Sequence, residues 1–421
     1  MPMIVSPFVH PIYVMLKPAG ARCNLACRYC YYLEKSALYG QAQRHAMTDE
    51  LLEEFIKQYI SMQSQREVLF TWHGGETMLR PLSFYRLAVS LQRKYADGHV
   101  IDNCIQTNGT LLDHEWCRFL HDNRWLVGLS IDGPQPLHDA FRKDRQGKGT
   151  FYRVCKAVEL LEQYGVEWNG MAVVNRLNAE YPHEFYRFFK EIGCRYIQFT
   201  PIVEPAAPAL TPPSIYNGNG HVKKTEDNLE TMVTRESVLP EQWGRFLCSV
   251  FDEWVCQDVG RVYVQLFDAT LANWVGVEPG VCSMAEKCGY ALAMEFNGDV
   301  YACDHFVYPQ YRLGNIWEHP LNLLAYGEKQ QAFRKLKTDA LPNRCRTCAY
   351  GFACHGECPK NRLIRTTDGE AGLNYLCEGY RHFFSHVAPY MDFMAHEWLT
   401  DGAPANVMEA IDHGRLPNPM G

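Results

Sequence analysis

The chain has 421 residues, of which 47% are hydrophobic and 21% charged, a composition typical of a globular protein with more than one compact core. Its formal net charge of −7, with no run rich in lysine and arginine, excludes the basic surface that holds nucleic acid. The N-terminus lacks a signal-peptide pattern, and no apolar run is long enough to cross a membrane. We therefore expect a cytoplasmic protein that binds neither nucleic acid nor a membrane.

Apolar runs suited to buried strands alternate with helical patterns through the first half of the chain, which predicts an α/β fold with a parallel sheet and crossover helices. The predicted strands lie near residues 12–17, 68–72, 101–107, 127–131, 167–174 and 196–200. One predicted helix begins at Thr48-Asp49-Glu50, and the others cover 82–95, 113–122, 151–164 and 181–192.

The second half follows a segment rich in proline, asparagine and glycine, residues 205–239, which we interpret as an exposed insertion or linker. A helix is predicted over 241–258, and Asn297-Gly298 predicts a tight hairpin turn. Aromatic and methionine residues at helical spacing over 380–398 predict a helix packed in the core. We therefore place one domain at 1–204 and a second, cysteine-rich α+β domain at 240–421.

The 17 cysteines are clustered, which in a reducing compartment indicates metal ligands rather than disulfides. The first group, Cys23, Cys27 and Cys30, has the spacing C-x3-C-x2-C. Three thiolates on a four-iron cluster leave one iron open for a ligand with an amine and a carboxylate. A zinc knuckle with a borrowed fourth ligand, or cysteines without metal, are the alternatives.

This spacing, with the aromatic residue Tyr29 just before the last cysteine, resembles the radical S-adenosylmethionine (SAM) enzymes. The resemblance implies that the open iron binds SAM, with Tyr29 beside it, and that an electron from the cluster cleaves SAM to a 5′-deoxyadenosyl radical. It also implies that the six βα units form a partial (β/α)6 barrel. Oxygen attacks exposed clusters of this kind, so we expect an anaerobic host.

The stretch His73-Gly74-Gly75-Glu76 ends the second predicted strand. Glycines there let backbone carbonyls approach a ligand, and a carboxylate accepts hydrogen bonds from an ammonium group. After a strand and downstream of the cysteine loop, Gly74, Gly75 and Glu76 resemble the family's motif for the amino group of SAM. An ordinary turn is the alternative.

Three further residues are candidates for holding SAM. Ser130, at the end of the fourth predicted strand, and Arg142 have the chemistry to hold its carboxylate or ribose. Val203, after the sixth strand, is placed to present its backbone to the adenine. Local structure is the alternative for each, since Asp132-Gly133-Pro134 is also a good turn.

Eight more cysteines lie in the second half, and eight thiolates suit either two fully ligated clusters or zinc sites. Their arrangement resembles the SPASM iron–sulfur extension of peptide-modifying radical enzymes. The resemblance implies one auxiliary cluster on Cys282, Cys288, Cys303 and Cys358. It implies another on Cys345, Cys348, Cys354 and Cys377, which makes three [4Fe-4S] clusters in the whole chain.

Asp304 directly follows one of these cysteines, and a carboxylate beside a cluster suits an oxidation that needs a proton acceptor. The stretch from Asn297 to His305 resembles the anaerobic sulfatase-maturating enzymes, whose catalytic base sits at this aspartate. That family also places His73 and Tyr32 against the substrate peptide. A solvated turn aspartate is the alternative for Asp304.

The resemblance implies a radical SAM oxidoreductase that converts a Cys or Ser of an unfolded sulfatase precursor to Cα-formylglycine. Flavodoxin or ferredoxin is the expected reductant. Another SPASM peptide modifier, which forges a thioether or matures a peptide-derived cofactor, is one alternative. A non-enzymatic zinc scaffold that binds partners through its cysteine-rich half is the alternative from another class.

Overall fold

The structure is a computed structural model that describes residues 11–40, 46–206, 230 and 232–420. It divides into two compact units that alternate along the sequence. Unit 1 comprises residues 1–130, 142–168 and 289–335, and unit 2 comprises residues 131–141, 169–288 and 336–421. The predicted domains 1–204 and 240–421 stay a prediction, and most of the predicted insertion 205–239 lies outside the described residues.

Twelve strands are found in the described part of the chain: β1 (Tyr13–Lys17), β2 (Glu67–Trp72), β3 (Val100–Thr107), β4 (Leu126–Ser130), β5 (Trp168–Val174), β6 (Tyr196–Pro201), β7 (Tyr263–Val264), β8 (Ala291–Glu295), β9 (Asp299–Tyr301), β10 (Arg312–Asn315), β11 (Ile364–Arg365) and β12 (Ala371–Leu373).

The α-helices of the same residues are α1 (Asp49–Ser61), α2 (Leu82–Tyr95), α3 (His114–Asp122), α4 (Gln135–Phe141), α5 (Phe151–Tyr164), α6 (Pro182–Glu191), α7 (Pro240–Gln257), α8 (Gln265–Trp274), α9 (Leu321–Tyr326), α10 (Glu328–Asp339), α11 (Asn343–Arg346), α12 (Gly351–Cys354), α13 (Cys377–Leu399) and α14 (Asn406–Asp412).

In unit 1 the strands follow the order β10-β9-β8-β1-β2-β3-β4. Strands β1 to β4 are parallel to their neighbours, and β8 is parallel to β1, with Lys17 opposite Glu295. Helix α1 begins where Thr48 caps it, because the Thr48 hydroxyl accepts a hydrogen bond from the Leu51 N–H. The carboxyl ends of parallel strands share one edge, which is where this class of sheet carries its sites.

In unit 2 the strands β5, β6 and β7 are parallel, and helices α7 and α13 pack closely against each other. Their backbones meet at two glycines: a Cβ at Gly379 would lie 2.1 Å from the Pro240 oxygen, and a Cβ at Gly244 would lie 2.9 Å from the Gly379 oxygen. Buried rings, among them Trp243 and Phe383, fill the space beside this crossing. The tail helix is therefore core, as its spacing predicts.

The α/β fold with a large parallel sheet is confirmed. The six predicted strands and the four helices predicted with both ends lie within two residues of their observed bounds, and α1 begins within its predicted start, at Asp49. Helix α4 was not predicted, because Gly133-Pro134 reads as a turn. The hairpin at Asn297-Gly298 forms as predicted, but its first strand also pairs with β1. No helix in the described residues combines the length and apolarity needed to span a bilayer.

Replacing Gly379 with alanine tests the close crossing of α7 and α13. The added methyl group has no room beside the Pro240 oxygen, so we expect the free energy of unfolding to fall by about 1–3 kcal/mol. Thermal and denaturant unfolding of the metal-free protein measure this. The matched control is Gly289→Ala, where a Cβ meets nothing within 4 Å. Equal stability of the two variants would contradict the crossing.

Candidate active site and cluster sites

The cysteine loop follows β1 and is held by backbone and side-chain hydrogen bonds of unit 1. The Sγ of Cys23 accepts from the Leu25 N–H at 3.3 Å and from the Asn108 amide at 3.8 Å. Asn108 also donates to Asn24 at 2.9 Å, and the Ala26 N–H donates to the Lys143 carbonyl at 2.8 Å. These hydrogen bonds hold the loop against the segments that carry Asn108 and Lys143.

Burial raises the pKa of the Cys23 thiol to about 11. A thiolate in such surroundings needs a positive partner, which an iron ion supplies. Within the described residues, no three His, Cys, Asp or Glu side chains converge on one point where a single metal ion would sit. Thiolates of an iron–sulfur cube bind different irons, so they stand apart around a cavity.

The Gly-Gly-Glu segment lies directly against the chain that enters the cysteine loop. The Gly75 N–H donates to the Gly20 carbonyl at 2.9 Å, and the Glu76 N–H donates to the Arg22 carbonyl at 2.7 Å. A Cβ at Gly75 would lie 2.2 Å from the Arg22 oxygen, and Gly74 has φ +138°. The close approach that requires glycine is thus an approach to the protein's own backbone.

Glu76 is 1% exposed, and its carboxylate is oriented by donors at the end of β3 and in its own turn. Oε1 accepts from the Met78 N–H at 2.9 Å and the Thr107 hydroxyl at 2.8 Å, and Oε2 accepts from the Asn108 N–H at 2.8 Å. Burial raises the pKa of Glu76, and these donors oppose that rise. Asn108 therefore links Glu76 to Cys23, a connection that sequence reasoning missed.

The other candidate SAM contacts are distributed over both units. In unit 1 the Ser130 hydroxyl accepts from Gln106 at 2.9 Å, and the Arg142 guanidinium lies 5.7 Å from the centroid of the Tyr29 ring. In unit 2 the Val203 carbonyl accepts from Lys360 at 2.8 Å. Arg142 and Tyr29 are thus brought together, and the cofactor roles of all four predicted residues stay predictions.

Asp304 lies in a buried network whose other members come from three separate segments. Its Oδ1 accepts from the fully buried Lys17 at the end of β1, and its Oδ2 accepts from the Tyr31 hydroxyl. Burial alone would raise the pKa of Asp304, but the Lys17 ammonium, with His73 and His305, holds it below its usual range. Asp304 is therefore ionised, and it is not a solvated turn residue.

A second carboxylate, Glu295 at the end of β8, lies on the other side of Lys17. The Tyr32 hydroxyl donates to its Oε1, and the Lys17 ammonium lies 4.0 Å from the centroid of the Tyr32 ring. Oε2 of Glu295 has no hydrogen-bond partner within the described chain, and burial raises its pKa to about 7. Lys17 and Glu295 were missed, although a charged residue ending an apolar strand was a usable signal.

His73 has a defined tautomer. Its Nδ1 accepts from the Gly74 N–H at 2.8 Å and lies 3.3 Å from the Lys17 ammonium, so the ring proton belongs on Nε2. Burial and the Lys17 charge lower the pKa of His73 to about 4. The imidazole is thus neutral at physiological pH and has one N–H to donate.

In unit 2, four predicted cluster ligands line one cavity of about 260 Å³. They are Cys345, Cys348, Cys354 and Cys377. The rest of the lining includes Arg344, Arg381 and Phe384. A cavity bounded by four thiols fits a fully ligated iron–sulfur cluster.

Three members of the other predicted ligand set also lie together in unit 2. Burial raises the pKa of the Cys358 thiol, and the nearby Cys282 and Cys288 raise it further. Burial lowers the pKa of Lys337, and all three cysteines oppose that fall. The Lys337 ammonium donates to the carbonyls of Cys282 at 2.6 Å and Ser283 at 2.8 Å. Cys358 therefore lies with this pair, which supports the interlocked order that spacing could not give.

Two models of known protein families match the chain. The family model described as "Radical SAM superfamily" matches residues 18–189, and the SPASM model, "Iron-sulfur cluster-binding domain", matches residues 282–349. The chain is 57% identical over 411 residues to the "Serine-type anaerobic sulfatase-maturating enzyme" of Bacteroides thetaiotaomicron, with 98% of each chain covered. It is 32% identical to the "Cysteine-type" enzyme of Clostridium perfringens, with 90% of this chain and 97% of that one covered.

Solved structures give the same likeness. "Native anSMEcpe with bound AdoMet and Cp18Cys peptide" has a TM-score of 0.79 and 32% identity, covering 92% of this chain and 99% of that chain. "Streptococcus suis SuiB bound to precursor peptide SuiA" has a TM-score of 0.58 at 16% identity, covering 87% and 76%, which is a likeness in fold alone.

Replacing Lys17 with methionine tests the buried pair with Asp304. Removing the cation leaves the carboxylate buried without its charge partner, so we expect the free energy of unfolding to fall by about 3–5 kcal/mol. Denaturant unfolding of the metal-free protein measures the loss. The control is Lys57→Met, whose exposed lysine lies 3.9 Å from Glu54 and should change stability by less than about 1 kcal/mol. A Lys17→Met protein as stable as the control would contradict the pairing.

Proposed function

Because the chain belongs to the anaerobic sulfatase-maturating enzymes of the radical SAM superfamily, we propose that it oxidises the serine of a sulfatase precursor's active-site motif to Cα-formylglycine. The greater likeness to the serine-type relative than to the cysteine-type relative supports serine, with cysteine as the second substrate. The observation that carries the proposal in the structure is the buried, ionised Asp304 held between Lys17 and Tyr31.

The chain is an iron–sulfur oxidoreductase that uses SAM. We propose three [4Fe-4S] clusters: one on Cys23, Cys27 and Cys30, one on Cys282, Cys288, Cys303 and Cys358, and one on Cys345, Cys348, Cys354 and Cys377. When bound, SAM and the first cluster supply abstraction of a hydrogen atom from the substrate's Cβ. Glu76, with Tyr29, Ser130, Arg142 and Val203, is proposed to hold SAM.

Asp304 is proposed to accept the hydroxyl proton of the substrate. Converting –CH2OH to –CHO removes one hydrogen atom, one proton and one electron. The hydrogen atom would pass to the radical that SAM supplies, the proton to Asp304, and the electron to the auxiliary clusters when they are bound. A carboxylate of low pKa is a weak base toward an alcohol, so proton transfer belongs after the hydrogen atom has left the neighbouring carbon, when the hydroxyl is more acidic. Lys17 and Tyr31 each occupy one lone pair of Asp304 and leave further lone pairs for the substrate.

His73 is proposed to donate its Nε2–H to the substrate's hydroxyl oxygen. Two donors on Nδ1 fix that tautomer, and the lowered pKa keeps the ring neutral. An oxygen acceptor gains more from such a donor than a sulfur does. This favours serine. Tyr32 is proposed to contact the substrate through its ring, because its hydroxyl is held by Glu295.

We further propose that the substrate is an unfolded precursor, that flavodoxin or ferredoxin is the reductant, and that the enzyme works in the cytoplasm. An extended chain is supported because Asp304 is 6% exposed and a folded domain would not bring a side chain to it. A cytoplasmic site is supported by 17 cysteines without any disulfide among those described. The net charge of −7 supports a partner that is not nucleic acid.

The test of this function uses anaerobically reconstituted enzyme and synthetic peptides that carry Ser-x-Pro-x-Arg or Cys-x-Pro-x-Arg. Mass spectrometry should show the serine peptide lose two hydrogens, and the cysteine peptide give the same aldehyde. Another peptide-modifying activity would leave both peptides unchanged. Iron and sulfide analysis separates the zinc scaffold, which would contain neither.

Replacing Asp304 with asparagine should separate the two halves of the reaction. We expect 5′-deoxyadenosine to form at a rate near that of the parent enzyme, while formylglycine falls by about 100-fold or more because the proton acceptor is lost. Liquid chromatography of 5′-deoxyadenosine and mass spectrometry of the peptide give both rates. Full formylglycine yield from Asp304→Asn would remove the assigned role.

Replacing His73 with leucine should reduce the preference for serine. We expect kcat/KM for the serine peptide to fall by about 10- to 100-fold, the cost of a lost hydrogen bond to the reacting group, with a smaller loss for the cysteine peptide. His73→Gln retains an N–H donor and should recover part of the activity on serine. The hypothesis fails if His73→Leu lowers kcat/KM by the same factor for both peptides.

A further inference from the structure

One short turn joins a cysteine of one predicted auxiliary ligand set to a cysteine of the other. Cys354 lines the 260 Å³ cavity, and Cys358 lies with Cys282 and Cys288. The three residues between them all have left-handed backbone: His355 with φ 49°, Gly356 with φ 71° and Glu357 with φ 51°. Two of these are not glycine, and that region disfavours residues that carry a Cβ. The fold must therefore hold this turn in place.

Arg362 supplies that restraint from inside the protein. It is 2% exposed, and its guanidinium donates to the carbonyls of Gly356 at 3.1 Å, His355 at 3.2 Å and Glu357 at 3.4 Å. The Glu357 N–H donates to the Cys354 carbonyl at 2.8 Å. All three carbonyls of the turn are thus bound by one cation, which fixes where the Glu357 side chain begins.

Glu357 is 4% exposed, and its carboxylate receives only donors. Oε2 accepts from the Asn361 amide at 3.0 Å and from the Asn374 amide at 2.5 Å, and the Cys358 N–H also donates to the carboxylate. Burial raises the pKa of Glu357, and these donors oppose that rise because they stabilise the acceptor-only carboxylate. The turn therefore carries a fixed negative charge.

This charge lies next to a cysteine of each ligand set. The Glu357 N–H donates to the Cys354 carbonyl at 2.8 Å, and the Glu357 carboxylate accepts from the N–H of Cys358, the following residue. On the Cys282 side it faces the ammonium of Lys337, which is fully buried and also lies near Cys288. One carboxylate therefore lies beside both sets, with a buried cation opposite it on one side.

We propose that Glu357 is a positioning residue that sets the reduction potentials of the two auxiliary clusters together, with Lys337 opposing it at the Cys282, Cys288 and Cys358 set. Reduction adds an electron to a cluster, and a fixed negative charge nearby disfavours that step, so Glu357 lowers both potentials. Burial strengthens the effect because the surroundings screen charge poorly. The inference rests on the two auxiliary clusters of the proposed function.

The test is a redox titration of the anaerobically reconstituted full chain, followed by electron paramagnetic resonance. In Glu357→Gln, which keeps the shape and one carbonyl acceptor, the potentials of both auxiliary clusters should shift in the positive direction. The cluster at Cys23, in unit 1, should keep its potential and serves as the internal reference. Glu241→Gln, whose side chain is 87% exposed, is the matched control and should move none of the three.

Iron and sulfide analysis of the parent enzyme comes first. Fewer than two auxiliary clusters would overturn the proposed cluster content and this inference with it. Two intact auxiliary clusters whose potentials do not move in Glu357→Gln, or of which only one moves, would overturn the inference alone. Should Glu357→Gln not load its clusters, Lys337→Met carries the test. The potential of the cluster at Cys282, Cys288 and Cys358 should then shift in the negative direction, and an unmoved potential would overturn the inference.

Discussion

The buried contact between Lys17 and Asp304 is the constraint on which the active site depends. Two residues 287 positions apart in sequence meet because β8 lies parallel to β1, with Lys17 opposite Glu295. The chain then turns through β9 and returns with Asp304 to the same strand end. A fully buried ammonium requires a nearby carboxylate. The pairing of β1 with β8, and the return of the chain through β9, bring the carboxylates of Glu295 and Asp304 to the end of β1. The site is thus a consequence of how the sheet is completed.

The buried carboxylates of the protein differ in what surrounds them, and that difference separates their chemistry. Asp304 has a cation that holds its pKa below the usual range. Glu295 has one hydroxyl donor, an oxygen with no hydrogen-bond partner among the described residues, and a pKa that burial raises to about 7. Glu76 and Glu357 are each held by several neutral N–H or O–H donors. A nearby cation keeps a carboxylate ionised until the substrate's proton becomes acidic enough to transfer to it. Neutral donors hold a carboxylate as a fixed charge, which binds a neighbouring group or shifts its potential.

Much of the fold and part of the site could be predicted from local sequence. Strand and helix bounds follow from apolar periodicity, and the two ends of α2 and α5 were predicted to the residue. Cys23, Cys27 and Cys30 are recognisable because the spacing C-x3-C-x2-C lets three thiolates reach one cluster. The charges of Lys17 and Glu295 at the ends of apolar strands were a usable local signal, but the roles of these residues arise from the pairing of β1 with β8, which lie far apart in the sequence. The approach of Gly75 to the Arg22 carbonyl was not predicted for the same reason, since that carbonyl lies on another segment, and the cofactor role of Gly75 stays a prediction.

The placement of Cys377 shows how packing far from a cluster reaches its ligands. Cys377 is the first residue of α13, and two residues later Gly379 meets the backbone of α7 at Pro240. Because no side chain separates the helices there, the first turn of α13 has little freedom to move along α7. The remaining three thiols of the cavity lie on the short segment from Cys345 to Cys354, and one side of that cavity is therefore positioned by a helix crossing. A cluster bound there would stabilise the folded state over the unfolded one, because the fold brings the four thiols to one cavity.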